Sequence, residues 1–463
     1  MSVLVRYRAT QTSLHILIFS DVDGVCGVKI NNVNYSGTTI NAASYHTGIV
    51  NVTNLTPDTR YVAEVTIDGN VVPQLYGHQF TPRTRTTKGG IKLAFAPCLQ
   101  MAGRELTGLY QMVDKNVDVL LTQGDWPYPA DGAAWGVTMD TSAWNDPLAF
   151  ASAHEQTMKI PGAAALSSKI EMLMQLDDHE SHLNSPWDGA NGVFDNWPST
   201  VEAPPEILPA DLSVDPRVTY PWSDAYNASA LAFAAYTRHN PARLSNNHFG
   251  WYDDFGIDPI TGSPLLRVVT PDLISERSFV NYSGPSKRMM SDTQINNLLD
   301  NLSAAKSIGI PFILLNFTKK IWNTASDNTD TLAYYTNTRT TILDGITSRG
   351  ITGVVCASGD RHVWDIGWQN GLACVCACPI SVEMNPTQGA GYPTGIQAEA
   401  FGPLGTQTHY DNVWGLVEVP ASADRIEISV RSIILGGAAI VPPIHCKRNE
   451  RIVRDFNGHI LSS

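Results

Sequence analysis

Charge is scarce in this chain. Only 16% of its 463 residues are Asp, Glu, Lys or Arg, against 43% hydrophobic, so it has ample apolar side chain to bury and lacks the composition of a disordered polymer. The charge that exists is lopsided, 31 basic against 44 acidic residues for a net −13, which excludes general affinity for nucleic acid or an anionic membrane surface. An anionic substrate would have to be drawn in locally, most simply by bound cations. Long apolar runs are missing too. The longest candidates are strand-sized stretches such as 310–315, short of the ~18 to 20 residues a membrane span needs, and no span is expected. The opening Met1-Ser-Val-Leu-Val-Arg-Tyr-Arg lacks a charged segment followed by an apolar core and a cleavage site. No export signal is visible, so either the chain stays inside or a signal has been removed; the compartment is left open. Cysteine is sparse and odd in number, seven in all, which argues against a disulfide framework and suits a reducing compartment or a metal thiolate.

The first eighty or so residues alternate short β-branched runs, 13–18, 26–30, 48–52 and 61–67, with turn residues, the pattern of a small antiparallel sandwich. Between the last two lies Asn54-Leu-Thr-Pro-Asp-Thr-Arg-Tyr61, in which Leu55 and Tyr61 can pack inward around a Pro-led turn. This resembles the corner of fibronectin type III-like domains. The polar, basic and Gly-terminated stretch 81–90 reads as a linker, giving an N-terminal domain 1–88 and a second domain 89–463.

From Ile91 strands alternate with helices. A strand at 91–96, helical spacing of Leu106, Leu109, Tyr110 and Val113, and a strand at 118–122 make a βαβ unit. Later, Ser291-Asp-Thr-Gln294 predicts a capping box ahead of a helix whose face is Ile295, Leu298, Leu299, Leu302 and Ala305, then a strand at 311–315. A helix through Leu343 and Ile346 ends at Gly350 and leads into a strand at 351–356. The stretch 135–282, rich in Pro, Asn, Asp and Trp with weak periodicity, reads as long loops and short helices over the strand ends.

In α/β sheets functional groups collect where strands end, because the chain leaves the sheet there into loops. Here those ends are loaded. They carry Cys98, Gly124-Asp125-Trp-Pro-Tyr128, the strand 172–176 running into Asp177-Asp178-His179-Glu180, and Gly359-Asp360-Arg361-His362. A thiolate, a phenolate, carboxylates and an imidazole can converge on one point, Cys and Tyr favouring a ferric ion and carboxylates a hard cation. Singly, each piece has an ordinary reading: an Asx turn, a solvated charged turn, a buried small hydrophobe. Their order and placement carry the weight.

These four motifs together resemble the PhoD-like alkaline phosphatase and phosphodiesterase family of the calcineurin-type metallophosphoesterases, in which they follow an N-terminal β-sandwich. The likeness extends to Thr270-Pro-Asp272 through Arg277, the helix preceded by Lys287-Arg-Met-Met-Ser-Asp-Thr-Gln294, and the strand 426–434. It implies an α/β fold, a four-layer αββα metallophosphoesterase sandwich preceded by a small all-β sandwich domain. It also implies hydrolysis of phosphoric esters, monoester or diester, by in-line attack of a hydroxide activated by two metals. Carried over residue by residue, Asp125 would bridge the metals, Cys98, Tyr128 and His362 would complete a ferric (Fe3+) site, and Asp178 and Asp360 would hold Ca2+, with Zn2+ or Mn2+ as other divalent occupants. His179 would serve the leaving group as general acid. Asn184, Arg361 and Arg277 are candidate substrate contacts, since no arginine closely follows Tyr128 to clamp a phosphate. Pro97 and Leu176 depart from the family pattern without removing a ligand. The expected partner is a small phosphate ester, with no nucleic acid and no membrane span; oligomeric state and the physiological substrate are left open.

Three other readings compete. Asp21-Val-Asp23-Gly24 matches the nucleophile motif of haloacid dehalogenase-type phosphatases, but that chemistry needs a helix next and short strands follow. Cys374-Val-Cys376-Ala-Cys378 reads as small core residues on one strand face rather than a metal knuckle. From another class, the chain would be a catalytically silent binding protein, a virion or surface component on a phosphatase scaffold; six intact ligands speak against it. The aromatic run Trp251-Tyr252-Asp253-Asp254-Phe255 fits either a substrate cleft or a cover for the sheet.

Overall fold

The computed structural model describes residues 2–88, 90–99, 107–127, 146–181, 222–244, 248–277, 288–321, 331–360, 365–369, 372–376, 397–401, 413–433, 439, 443–448, 450 and 453–454. The N-terminal part is two antiparallel sheets. One pairs β1 (Val3–Ala9), β2 (Leu14–Ser20) and β5 (Thr47–Val52); the other runs in the order β4 (Val33–Ile40), β3 (Gly24–Ile30), β6 (Ala63–Ile67), β7 (Asn70–Val72). Alternate residues face the shared core, Val3, Val5, Tyr7 from β1 and Leu14, Ile16, Ile18 from β2, against Val28 and Ile30 of β3 and Val65 and Ile67 of β6. Leu55 and Tyr61 pack inward as expected, and the Tyr61 hydroxyl accepts the Thr56 amide at 2.7 Å, closing the corner. The strands β1, β4 and β7 are additions to the sequence reading; exposed positions dilute the alternation in β4 and β7, whereas β1 is covered on both faces and so does not alternate. Asp21 and Asp23 occupy the turn from β2 into β3, an antiparallel strand where the haloacid dehalogenase reading requires a helix.

β2 reads as a continuous apolar run because both of its faces are covered. Leu17 and Phe19, with Leu4 of β1, pack on Phe150 and Met158 of α2 (Pro147–Met158) and Ala232 and Tyr236 of α5 (Trp222–Tyr236). Arg85, within the stretch that joins the two parts, is packed against the second. Arg85 donates to Glu171 at 3.1 Å and to Asp253 at 2.7 Å, and Asp253 also holds Arg8 at 2.8 Å.

The rest is built on two seven-stranded sheets. The first has the order β10 (Glu171–Leu173), β9 (Val119–Thr122), β8 (Ile91–Ala96), β18 (Val413–Val419), β19 (Arg425–Ser432), β20 (Ile444–Lys447), β21 (Val453–Arg454). The second has β11 (Trp251–Ile257), β12 (Pro264–Thr270), β13 (Phe312–Asn316), β14 (Val354–Ser358), β16 (Leu372–Cys376), β15 (Asp365–Gln369), β17 (Gln397–Phe401). Parallel pairs β8–β9–β10 and β12–β13–β14–β16 form the site-bearing half of each. Leu93, Phe95 and Leu121 of the first sheet meet Leu266, Val268, Leu314 and Val375 of the second. Outside the first lie Leu109 and Met112 of α1 (Thr107–Asp114) and Leu166 of α3 (Pro161–Ser167). Outside the second lie Ile295 and Leu298 of α6 (Asp292–Ser307) and Ile342 and Ile346 of α7 (Thr336–Ser348). This is the expected four-layer αββα arrangement, with the smaller sandwich preceding it. No helix among the described residues is long and apolar enough to cross a membrane.

Two local expectations are corrected. Of the capping box, the Ser291 hydroxyl does accept the Gln294 amide at 3.3 Å, but the return bond is made by Glu276, which accepts from both the Ser291 amide and the Gln294 side chain at 2.8 Å. The stretch 135–282 holds two helices of 12 and 15 residues and the antiparallel pair β11–β12, not only loops. Its helices show little polar face because the sandwich covers them as well as the sheet. Trp251 and Phe255 of β11 fill the inter-sheet core, so this aromatic run covers the sheet.

Candidate metal centre

Four carboxylates converge at the ends of strands from both sheets. Asp125 follows β9, Asp177 and Asp178 follow β10, and Asp360 follows β14; one oxygen from each lies within 4.8 Å of the others. The loops are forced together by two glycines. At Gly124, whose φ is +84°, an added Cβ would lie 2.2 Å from the Asp177 Cβ, and at Gly359 it would lie 2.6 Å from the Pro97 Cβ. The Gly in each Gly-Asp pair therefore serves close approach of one strand end to another. Cys98, Asp125 and Asp360 themselves sit at φ of +55°, +59° and +77°, a backbone region costly for residues with a Cβ, and one that clusters at functional sites.

Glu180 and a set of buried amides hold this shape. Glu180 accepts the main-chain N–H of Asp125 and of Trp126 at 2.8 Å and of Asp177 at 3.0 Å, so it ties the β9 and β10 loops together instead of facing the cluster. Gln123 donates to Asn316 at 2.9 Å and Asn316 to Gln175 at 3.0 Å, a bridge between the two sheets beneath the carboxylates. Asp272 accepts the amides of Phe249, Ile274 and Ser275, shaping the turn that brings Arg277 close enough for its charge to act on Asp178.

The electrostatics are severe. Two like charges 4.8 Å apart repel by about 3 kcal/mol at an effective dielectric of ~20, and Asp125, Asp177 and Asp178 are at most 2% exposed. Burial first, then the charges of Asp178 and Asp177, push the Asp125 carboxyl well above the ordinary range. Burial likewise pushes Glu180 up to about 7 against the pull of its backbone donors. For Asp178 burial would do the same, but Lys319, then His179 and Arg277, outweigh it and hold the group below the usual range. Lys319, just beyond the end of β13, is fully buried and places its Nζ 2.6 Å from Asp178, 2.6 Å from Asp360 and 3.2 Å from Asp177.

Of the expected site residues, Asp125, Asp178 and Asp360 come together here. The Cys98 Sγ lies 3.3 Å from the Asp125 Oδ2, and the His179 main-chain N–H lies 3.4 Å from the Asp125 Oδ1, with its half-buried ring on α4 (Asp178–Ser181). Tyr128, Asn184, Arg361 and His362 lie outside the described residues. A buried set of hard oxygen donors with one thiol at its edge suits metal ions, the carboxylates a hard divalent cation and the sulfur a softer or ferric one. The cysteine strand is structural: Cys374 packs with Cys356 in the outer core, and Cys376 donates to the Gly359 carbonyl at 3.6 Å. Cys378 lies outside the described residues.

Sequence reasoning missed Lys319, Glu180's tie and the amide bridge. The one available signal for the first was Asn316-Phe-Thr-Lys-Lys320, a strand end as loaded as the others but lacking a carboxylate or an imidazole to single it out.

No protein-family model matches the sequence, and no curated protein matches it either. Solved structures do. The structure of PhoD superposes with a TM-score of 0.68 at 15% identity, covering 100% of this chain and 92% of its own. A purple acid phosphatase from yellow lupin (Lupinus luteus) seeds gives 0.56 at 11% identity, covering 95% of this chain and 73% of its own. At such identities the likeness is one of fold. The chain thus carries, end to end, the fold of PhoD, the family its four motifs resemble.

Proposed function

We propose that the protein is a metal-dependent phosphoric-ester hydrolase acting on small phosphate mono- or diesters. The observation that carries this is the convergence of Asp125, Asp177, Asp178 and Asp360 from three strand ends into one buried cluster beside Cys98. Four clustered carboxylates, three of them paired with a single ammonium, form a site that a further cation would stabilise. Asp125 would hold the ion, with Cys98, Tyr128 and His362 around a ferric occupant; the family pattern would give Asp178 and Asp360 to a hard cation such as calcium, a place into which Lys319 projects. Ions bound there supply positive charge for phosphate oxygens and acidify a coordinated water. The chain's own groups do the rest. His179, whose ring is half-buried beside the cluster's own loop, would give a proton to the departing alkoxide, and Arg277 adds positive charge near Asp178. Glu180 and the Gln123–Asn316–Gln175 bridge keep the strand ends in place.

The test is hydrolysis of p-nitrophenyl phosphate and of bis(p-nitrophenyl) phosphate by metal-replete protein, before and after chelation. Turnover of either ester that chelator removes and added metal restores is expected. Absence of turnover on both would favour a silent binding protein on this scaffold.

A further inference from the structure

Lys319 stands where the resemblance would put a metal. Its Nζ carries three donors, and three carboxylates lie within bonding reach, Asp178 and Asp360 at 2.6 Å and Asp177 at 3.2 Å. Asp178 and Asp360 are the pair the family pattern assigns to the second ion. A metal ion bound to the same two oxygens would sit at contact distance from the ammonium and be repelled by it. Nor is the lysine a surface group that has folded inward. Its side chain has no exposure and its neighbours Thr318 and Lys320 are at most 1% exposed, so withdrawing it would strip a buried ammonium of its counter-charges. Asp125 faces a different set: the Cys98 thiol and the His179 amide.

We infer that Lys319 is the second cation of this centre: its ammonium, in place of a second metal ion, neutralises Asp178 and Asp360, and one resident ion remains at Asp125 beside Cys98. The inference rests on the phosphoesterase reading and deepens it, because the substrate then meets one exchangeable charge and one that is covalently part of the chain. A chelator removes only the first.

The test is metal stoichiometry. Elemental analysis of purified wild-type protein, followed by calorimetric titration with CaCl2, is expected to give one ion per chain and no calcium binding at millimolar concentration. Lys319→Ala, purified in calcium, is expected to hold two ions per chain, and its melting temperature is expected to rise with calcium where the wild type's does not. Two ions per wild-type chain, with ester hydrolysis intact, would overturn the inference and leave the phosphoesterase reading standing. A folded Lys319→Ala that gains no calcium would overturn it too. Should that variant fail to fold, the wild-type count decides alone, one ion supporting and two refuting. No ion and no hydrolysis in the wild type would instead remove the phosphoesterase reading, and this inference with it.

Discussion

At the scale of single residues, the centre separates side chains that would hold charge from those that would move it. Asp125 lies 3.3 Å from the Cys98 sulfur and is buried among like charges, so its replacement should empty the ion's place. Asp125→Asn is expected to lose metal and turnover together, read by elemental analysis beside p-nitrophenyl ester hydrolysis. His179 touches Asp125 through its main chain, which an alanine keeps. His179→Ala is expected to retain its metal and lose about 10²- to 10⁴-fold in rate, the usual worth of a positioned proton donor. Equal metal loss in the two variants would contradict the division of roles. The strained backbone at Cys98, Asp125 and Asp360 belongs to the same account: each is held in the left-handed region by loops that the glycines beside them allow to meet.

At the scale of elements, the site depends on how tightly β8 and β18 pair. Gly415 of β18 lies opposite Phe95 of β8, and a Cβ there would sit 1.9 to 2.2 Å from the phenyl ring, which covers the glycine and fills the space between the sheets. Gly415→Ala is expected to cost about 1–3 kcal/mol, measured by urea unfolding, because a closely packed core has no room to take the methyl without moving the ring. Combined with Phe95→Leu it should lose less than the sum of the two single changes, since both act on one volume. Additive losses would mean that the ring does not lie over the glycine. On the outer face of the second sheet, Cys356 of β14 and Cys374 of β16 put small side chains in the core that α6 and α7 cover.

At the scale of the whole molecule, buried charge and buried neutral histidine link the sandwich to the αββα body. Arg85 lies between Glu171 and Asp253 and stacks on Phe255 at 4.0 Å. Arg85→Ala would leave both carboxylates buried with one cation fewer, and is expected to destabilise by about 3–5 kcal/mol in thermal or urea unfolding. A loss below 1 kcal/mol would show that water replaces the guanidinium. Acid should act earlier than these carboxylates suggest. His154 and His239 are each at most 2% exposed, and burial, with the nearby Arg6 charge, lowers both to about 3 from an ordinary 6.5. The unfolded chain takes up these protons between pH 6.5 and about 3 and the folded one does not, so stability is full above 6.5 and falls as pH drops through that window. Each histidine contributes a slope of at most about 1.4 kcal/mol per pH unit. His154→Phe, which keeps a ring stacked on Tyr236, should recover about 2 kcal/mol at pH 5 relative to the wild-type loss from pH 6.5. An unchanged slope of stability against pH in that variant would refute the assignment.

What the sequence determined by itself was what local rules encode. Period-two alternation marked the sandwich strands, strand–helix alternation from Ile91 marked the layered body, and the carboxylates and thiol of the centre sat at strand ends, where an α/β chain must leave its sheet. The strands β1, β4, β7, β11 and β12 and the helices α2 and α5 were harder to see because their patterns answer to partners far along the chain: Leu17 and Phe19 are apolar for the sake of Tyr236, and Asp253 is acidic for Arg8 and Arg85. Only tertiary structure could decide that Glu180 ties loops instead of facing the cluster, and that Lys319 enters it. Both depend on which strand ends lie side by side, a matter settled by long-range pairing and burial, and a lysine becomes a counter-charge only once three carboxylates from two other strands have enclosed it.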